Sequence, residues 1–141
     1  MRRLLGANAA WILVAAVAVA AEPAARFTTL DIIIDAGADS FAAYQIEVVA
    51  EGDALILSVE GGDHPAFSAP LIYDPAALQG RRIIIAALST SASLPTGRSR
   101  VATLHLRESG TVTYRPRLIA AARADGSRFT PQVITATGGQ R

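Results

Sequence analysis

The sequence predicts an all-β fold, an antiparallel β-sandwich with one short helical turn. Three observations carry this. Short apolar runs recur along the chain, separated by clusters of Gly, Pro, Asp and Ser. Several runs alternate apolar and polar residues, the period of a strand with one buried face. The alternation of strands with helices that marks an α/β chain is missing from the pattern.

The first strand is expected over residues 27–35, with Leu30, Ile32 and Ile34 on one face and Asp31, Ile33 and Asp35 on the other. Residues 36–40 form a turn. The second strand covers residues 41–50, with Tyr44, Ile46 and Val48 inward and Gln45 and Glu47 outward. Glu51-Gly52-Asp53 then suits a tight connection, because Gly permits positive φ and Asp tolerates it. The third strand follows over 54–60, with Leu55, Leu57 and Val59 on one face, so the second and third strands read as a hairpin. Residues 61–80 form a long irregular segment. Within it Asp74 suits an N-cap, Pro75 a first helical position and Gly80 a helix end, which predicts the one helical turn.

Residues 82–88 are apolar on both faces and read as a central strand. Residues 89–98 are a loop. Residues 99–108 alternate, with Ala102, Leu104 and Leu106 inward and Thr103, His105 and Arg107 outward. Ser109-Gly110 turns the chain into a strand over 111–122, whose Pro116 belongs at an edge or bulge. A turn at Ala124-Asp125-Gly126-Ser127 leads to the last strand, residues 129–136. That makes seven or eight strands in one sandwich.

The start of the chain speaks to compartment. Met1-Arg2-Arg3 is positive, Leu4 to Ala20 is apolar apart from Gly6 and Asn8, and Ala18-Val19-Ala20 has the small-x-small form of a cleavage site. The expected organisation is a secretory signal peptide over residues 1–21, a short lead-in over 22–29 and a sandwich domain over 30–137. The protein is then secreted or periplasmic. If the leader is not cleaved, it holds the domain to the membrane.

Composition narrows the function classes. There is no Cys, so neither disulfides nor thiolate zinc is available. All 13 basic residues are Arg. Without Arg2 and Arg3 the domain carries 11 Arg against 12 acidic residues. A near-neutral domain has no bulk electrostatic pull toward nucleic acid. The mean hydropathy of +0.34 owes much to the leader, and no later stretch nears the roughly 20 apolar residues that span a bilayer.

Motifs for chemistry are sparse. His64 and His105 are the only histidines, and no Gly-x-Ser-x-Gly elbow accompanies them. No Asp-x-Asp-x-Asp-Gly loop is present. Asp63 and Asp74 are the best placed oxygens for calcium, though turn forming and capping account for such Asp residues more simply. Gly61-Gly62 lacks the Lys of a phosphate loop and suits positive φ at a strand end. Asp63, His64, Phe67 and Tyr73 share the long 61–80 segment, and aromatic rings on such a loop can anchor a partner. Alternatively Phe67 and Tyr73 fold back to cap one end of the core.

The order of strands resembles the cohesin-like domains of bacterial extracellular proteins. The resemblance rests on Phe41-Ala42-Ala43-Tyr44-Gln45-Ile46-Glu47-Val48, Leu57-Ser58-Val59-Glu60-Gly61-Gly62, Arg82-Ile83-Ile84-Ile85-Ala86-Ala87, and Gly97 followed by Val101-Ala102-Thr103-Leu104-His105-Leu106. It implies a jelly-roll sandwich, shaped like a carbohydrate-binding module, with an extracellular binding role. Tyr73-Asp74-Pro75 departs from the family pattern, falling after the third strand rather than near Tyr44. The expected function is thus an exported, non-catalytic binding domain that meets an extracellular or envelope protein. A polysaccharide is the alternative partner. No cofactor or metal is called for, and the expected partner site is Asp63, His64, Phe67 and Tyr73. The outer sheet face around Gln45, Glu47 and Thr103 is the next candidate.

Overall fold

The computed structural model describes residues 15–138. The apolar start of the leader lies outside the described residues. Among the described residues six antiparallel strands form the fold: β1 (Ala25–Asp35), β2 (Ala43–Gly61), β3 (Ile72–Tyr73), β4 (Arg82–Leu88), β5 (Arg98–Ala122) and β6 (Gln132–Gly138). They lie in the order β3-β4-β2-β5-β1-β6. The all-β antiparallel expectation holds. Among the described residues no helix is long and apolar enough to cross a membrane.

Two strands are much longer than the sequence pattern suggests, β2 with 19 residues and β5 with 25. The expected hairpin at Glu51-Gly52-Asp53 and the expected turn at Ser109-Gly110 are both bends within strands. They lie opposite each other: Glu51 pairs with Thr113 and Asp53 with Ser109, with a register shift between them. Three residues of β5 fall between those pairs against one of β2, which makes a bulge that bends the ladder. Gly52 has φ 123° and Gly110 φ 65°. A Cβ on Gly52 would lie 2.6 Å from the Thr111 carbonyl oxygen, so glycine is what lets the strands cross here.

The bend divides the sheet into two layers. In the first, β3, β4, residues 43–51 of β2 and residues 113–122 of β5 run side by side. In the second, residues 53–61 of β2 pair with the start of β5, which pairs with β1, which pairs with β6. The inner faces meet in one buried cluster. It joins Ile46, Val48, Ile83 and Ile85 of the first layer to Leu30, Ile32, Ile34, Ile56, Leu104 and Leu106 of the second. Tyr44 spans the layers, donating its hydroxyl to the Val101 carbonyl at 3.1 Å. Burial pushes that phenol well above its usual range.

The expected faces of β1, of the first half of β2 and of the start of β5 are observed. Those of residues 54–60 are corrected. Ala54 and Ile56 are buried, whereas Leu57 is not. The register shifts between Ile56 and Ser58, so Leu57 is the extra residue of a bulge and parity resets at Val59, which packs on the core. β4 is less central than its composition implies, because β3 covers only Ala86 and Ile85. Pro116 sits where β5 pairs with β2 alone, the edge position expected of it. β1 begins at Ala25, within the expected lead-in. Ser109 donates its hydroxyl to the Pro23 carbonyl at 2.7 Å, so the lead-in is tied to the bend.

Three substitutions test this architecture by urea denaturation. Ile56→Ala removes a buried side chain and is expected to cost about 2–5 kcal/mol, and Leu57→Ala distinctly less. Equal costs would refute the bulge at Leu57. Gly52→Ala forces a strained φ and a backbone clash, and is expected to cost about 1–3 kcal/mol. A neutral result would mean that the bend does not need glycine.

Candidate functional site

The segment after β2 turns back because its glycines allow close backbone contact. Gly61 and Gly62 are not at positive φ, contrary to expectation. A Cβ on Gly62 would meet the Arg100 carbonyl oxygen at 2.4 Å, and one on Gly61 the Ser68 carbonyl oxygen at 2.6 Å. Two single turns of 3₁₀ helix follow, Pro65–Phe67 and Pro75–Ala77, where the sequence predicts one. Asp74 caps the second as expected, accepting from the Ala76 amide at 2.9 Å. His64 caps the first, its Nδ1 accepting from the Ala66 amide at 3.1 Å. That bond commits the Nδ1 lone pair.

Phe67 is corrected as a partner-binding residue. It is 2% exposed. Its ring stacks on Phe41 at 5.2 Å between centroids and meets Tyr44 edge-on at 5.4 Å. Tyr73 is half-buried and packs on the same core. The segment therefore closes one side of the sandwich. Ile56 donates its amide to the Gly80 carbonyl and accepts from Gln79, which covers the edge of β2 in the second layer. The four sequence-predicted residues do not converge. Phe67 and Tyr73 face the core, His64 is a cap, and only Asp63 reaches a polar cluster.

That cluster lies on the outer face of the second layer. Asp63 receives two bonds from the Arg100 guanidinium, which holds the arginine proton more tightly than usual. Arg100 also donates to the Gly61 carbonyl at 3.3 Å and to the Thr103 hydroxyl. Thr103, only 5% exposed, donates in turn to Asp31 at 2.7 Å. One row over, His105 Nε2 lies 3.1 Å from a Glu60 carboxylate oxygen. Strand alternation supplies these groups: Asp31 pairs with Thr103 across β1 and β5, and Glu60 pairs with Thr103 across β2 and β5.

The cluster floors a broad, open depression of about 950 Å³. Phe27, Ile33 and Leu57 also line it, and Phe27 is 69% exposed. The sequence had placed Asp31, Thr103 and His105 outward. What it lacked was any signal that β1, β5 and the end of β2 are neighbours.

The outer face of the first layer is organised by charge. Glu47 accepts from Arg82 at 2.7 Å and from Arg117 at 3.1 Å, and Glu51 accepts from Arg115 at 2.6 Å. Hydrogen bonding from Arg117 above all holds the Glu47 carboxyl below the usual range. Ile72, at 67% exposure, stands beside this ladder over Ile84 and Ala86.

The Asp63 and Asp74 carboxylates named for calcium are engaged separately, on Arg100 and on the Ala76 amide. Among the described residues no group of three or more His, Cys, Asp or Glu side chains could hold a metal ion. Comparison with protein-family models, curated proteins and solved structures finds no match.

The reassignment of the 61–80 segment has a direct test in thermal and urea unfolding. Phe67→Ala is expected to cost about 3–5 kcal/mol, as a core aromatic does. His64→Ala is expected to cost about 1 kcal/mol, the size of a lost cap. A Phe67→Ala protein of wild-type stability would return Phe67 to the surface.

Proposed function

We propose that this chain is an exported, non-catalytic binding domain that takes its partner on the outer face of the second layer. The observation that carries the reading is the depression floored by Asp31, Thr103, Arg100 and Asp63, with Phe27 exposed in its lining. The floor is preorganised, since each group already holds another in place, so little ordering entropy is lost on binding. An exposed aromatic beside such a floor is the arrangement of an interface anchor. The positive start, apolar core and Ala18-Val19-Ala20 of the leader support export.

The polar groups favour binding over turnover. Thr103 Oγ1 gives its proton to Asp31 but also receives a bond from Arg100, which draws on the lone pairs a nucleophile would use. A protein partner remains the first reading, because Phe27, Ile33 and Leu57 add apolar groups to the lining of the depression. A polysaccharide is the second, favoured by the polar floor and by a ring on which a sugar face can stack.

The test is capture from the envelope fraction of the source organism. Phe27→Ala, Glu60→Ala and His105→Ala together alter two exposed side chains and one half-exposed one, none of them in the core, and are expected to leave the fold intact. Capture should fall at least about tenfold. Competition by soluble polysaccharide would identify a sugar partner. Undiminished capture by the folded triple variant would remove this face from the account.

A further inference from the structure

An open sandwich must protect its strand edges, because unpaired backbone groups recruit other strands. Most edges here are protected. β3 is only two residues long and is followed by Asp74-Pro75. The second-layer edge of β2 is covered by Gln79 and Gly80. The outer half of β5 carries Pro116 between Arg115 and Arg117, a missing donor flanked by charge.

β6 has none of these devices. Gln132–Gly138 holds no charge and no proline, and its Val133, Ile134, Thr135 and Thr137 are β-branched. It pairs with β1 over seven consecutive residues without a register shift. It ends the strand order, so among the described residues no strand lies beside its other edge.

We propose that β6 is an assembly edge, at which two copies of this chain pair β6 to β6 in antiparallel fashion. A second copy fits this edge for two reasons. Antiparallel self-pairing is symmetric, and an uncharged strand meets no like charge in its own image. The domain as a whole is nearly balanced, with 11 Arg and 12 acidic residues beyond Arg3, so two copies approach without net repulsion.

The symmetry axis of such a pair stands perpendicular to the sheet, so the same face of each copy points the same way. Gly138 of β6 and Ile33 of β1 already line the outer-face depression. The pair therefore presents two depressions side by side. This last consequence rests on the binding function proposed above; the pairing itself does not. A repetitive partner would then be held by avidity.

Sedimentation equilibrium of the exported protein tests the pairing. The wild type is expected to be a dimer that dissociates on dilution. Ile134→Lys with Ala136→Lys places charge on the outer face, opposite Ile33 and Asp31 of β1. The variant should weaken the dimer at least about tenfold, with an unchanged far-UV spectrum. If the double variant does not fold, Ala136→Lys alone, at an exposed position, serves the same purpose. A wild type that is monomeric at every concentration overturns the proposal, even if it still captures its envelope partner. A dimer that persists in the folded variant overturns it too.

Discussion

The paired bend in β2 and β5 is the constraint on which the rest of the molecule depends. Both strands change direction at the same level, Gly52 on one and residues 110–112 on the other. Because they stay paired through the bend, each strand contributes to both layers. The inner faces are therefore set opposite each other by continuous ladders rather than by loops. The core from Ile46 to Leu106 and the bond from Tyr44 to Val101 follow from that placement. Both glycines are at positive φ, and Gly52 in addition lies too close to the opposite backbone to carry a side chain.

The long segment after β2 shows how a sandwich spends its few aromatics. Phe41, Phe67 and Tyr44 form one contact set, and Phe67 enters it from outside the sheets. Prolines start both 3₁₀ turns, and His64 and Asp74 cap them, so a region without a long strand is still specified residue by residue. Its role is closure. A cluster of interlocked polar groups lies instead on the second layer, where Arg100 binds Asp63 and His105 meets Glu60 on the adjacent strand.

Much of this was legible in the sequence, for reasons that separate cleanly. Alternation placed Leu30, Ile32, Ile34, Ala102, Leu104 and Leu106 inside because the period of a strand is local. The Asp74-Pro75 cap was legible for the same reason. Gly52 and Gly110 read as turns in the sequence because positive φ serves both a turn and a bulge, and only the partner strand decides between them. Leu57 was misplaced because one inserted residue inverts parity, and the insertion leaves no mark in composition. The polar face is legible only in part: the sequence points Thr103 outward but groups it with Gln45 and Glu47, which lie on the other layer, because Asp31, Asp63 and Thr103 are distant in sequence and meet only through strand order.

The adjacency of β1 and β6 carries a mechanical consequence. Thr29 lies opposite Gly138, so both ends of the folded domain emerge at the same end of one strand pair. Tension between them would load the ladder from its terminal pair inward. Antiparallel strands loaded in this way separate pair by pair, like a zipper, rather than resisting together in shear. The domain thus combines an interior locked by two long strands with a margin that yields first under load.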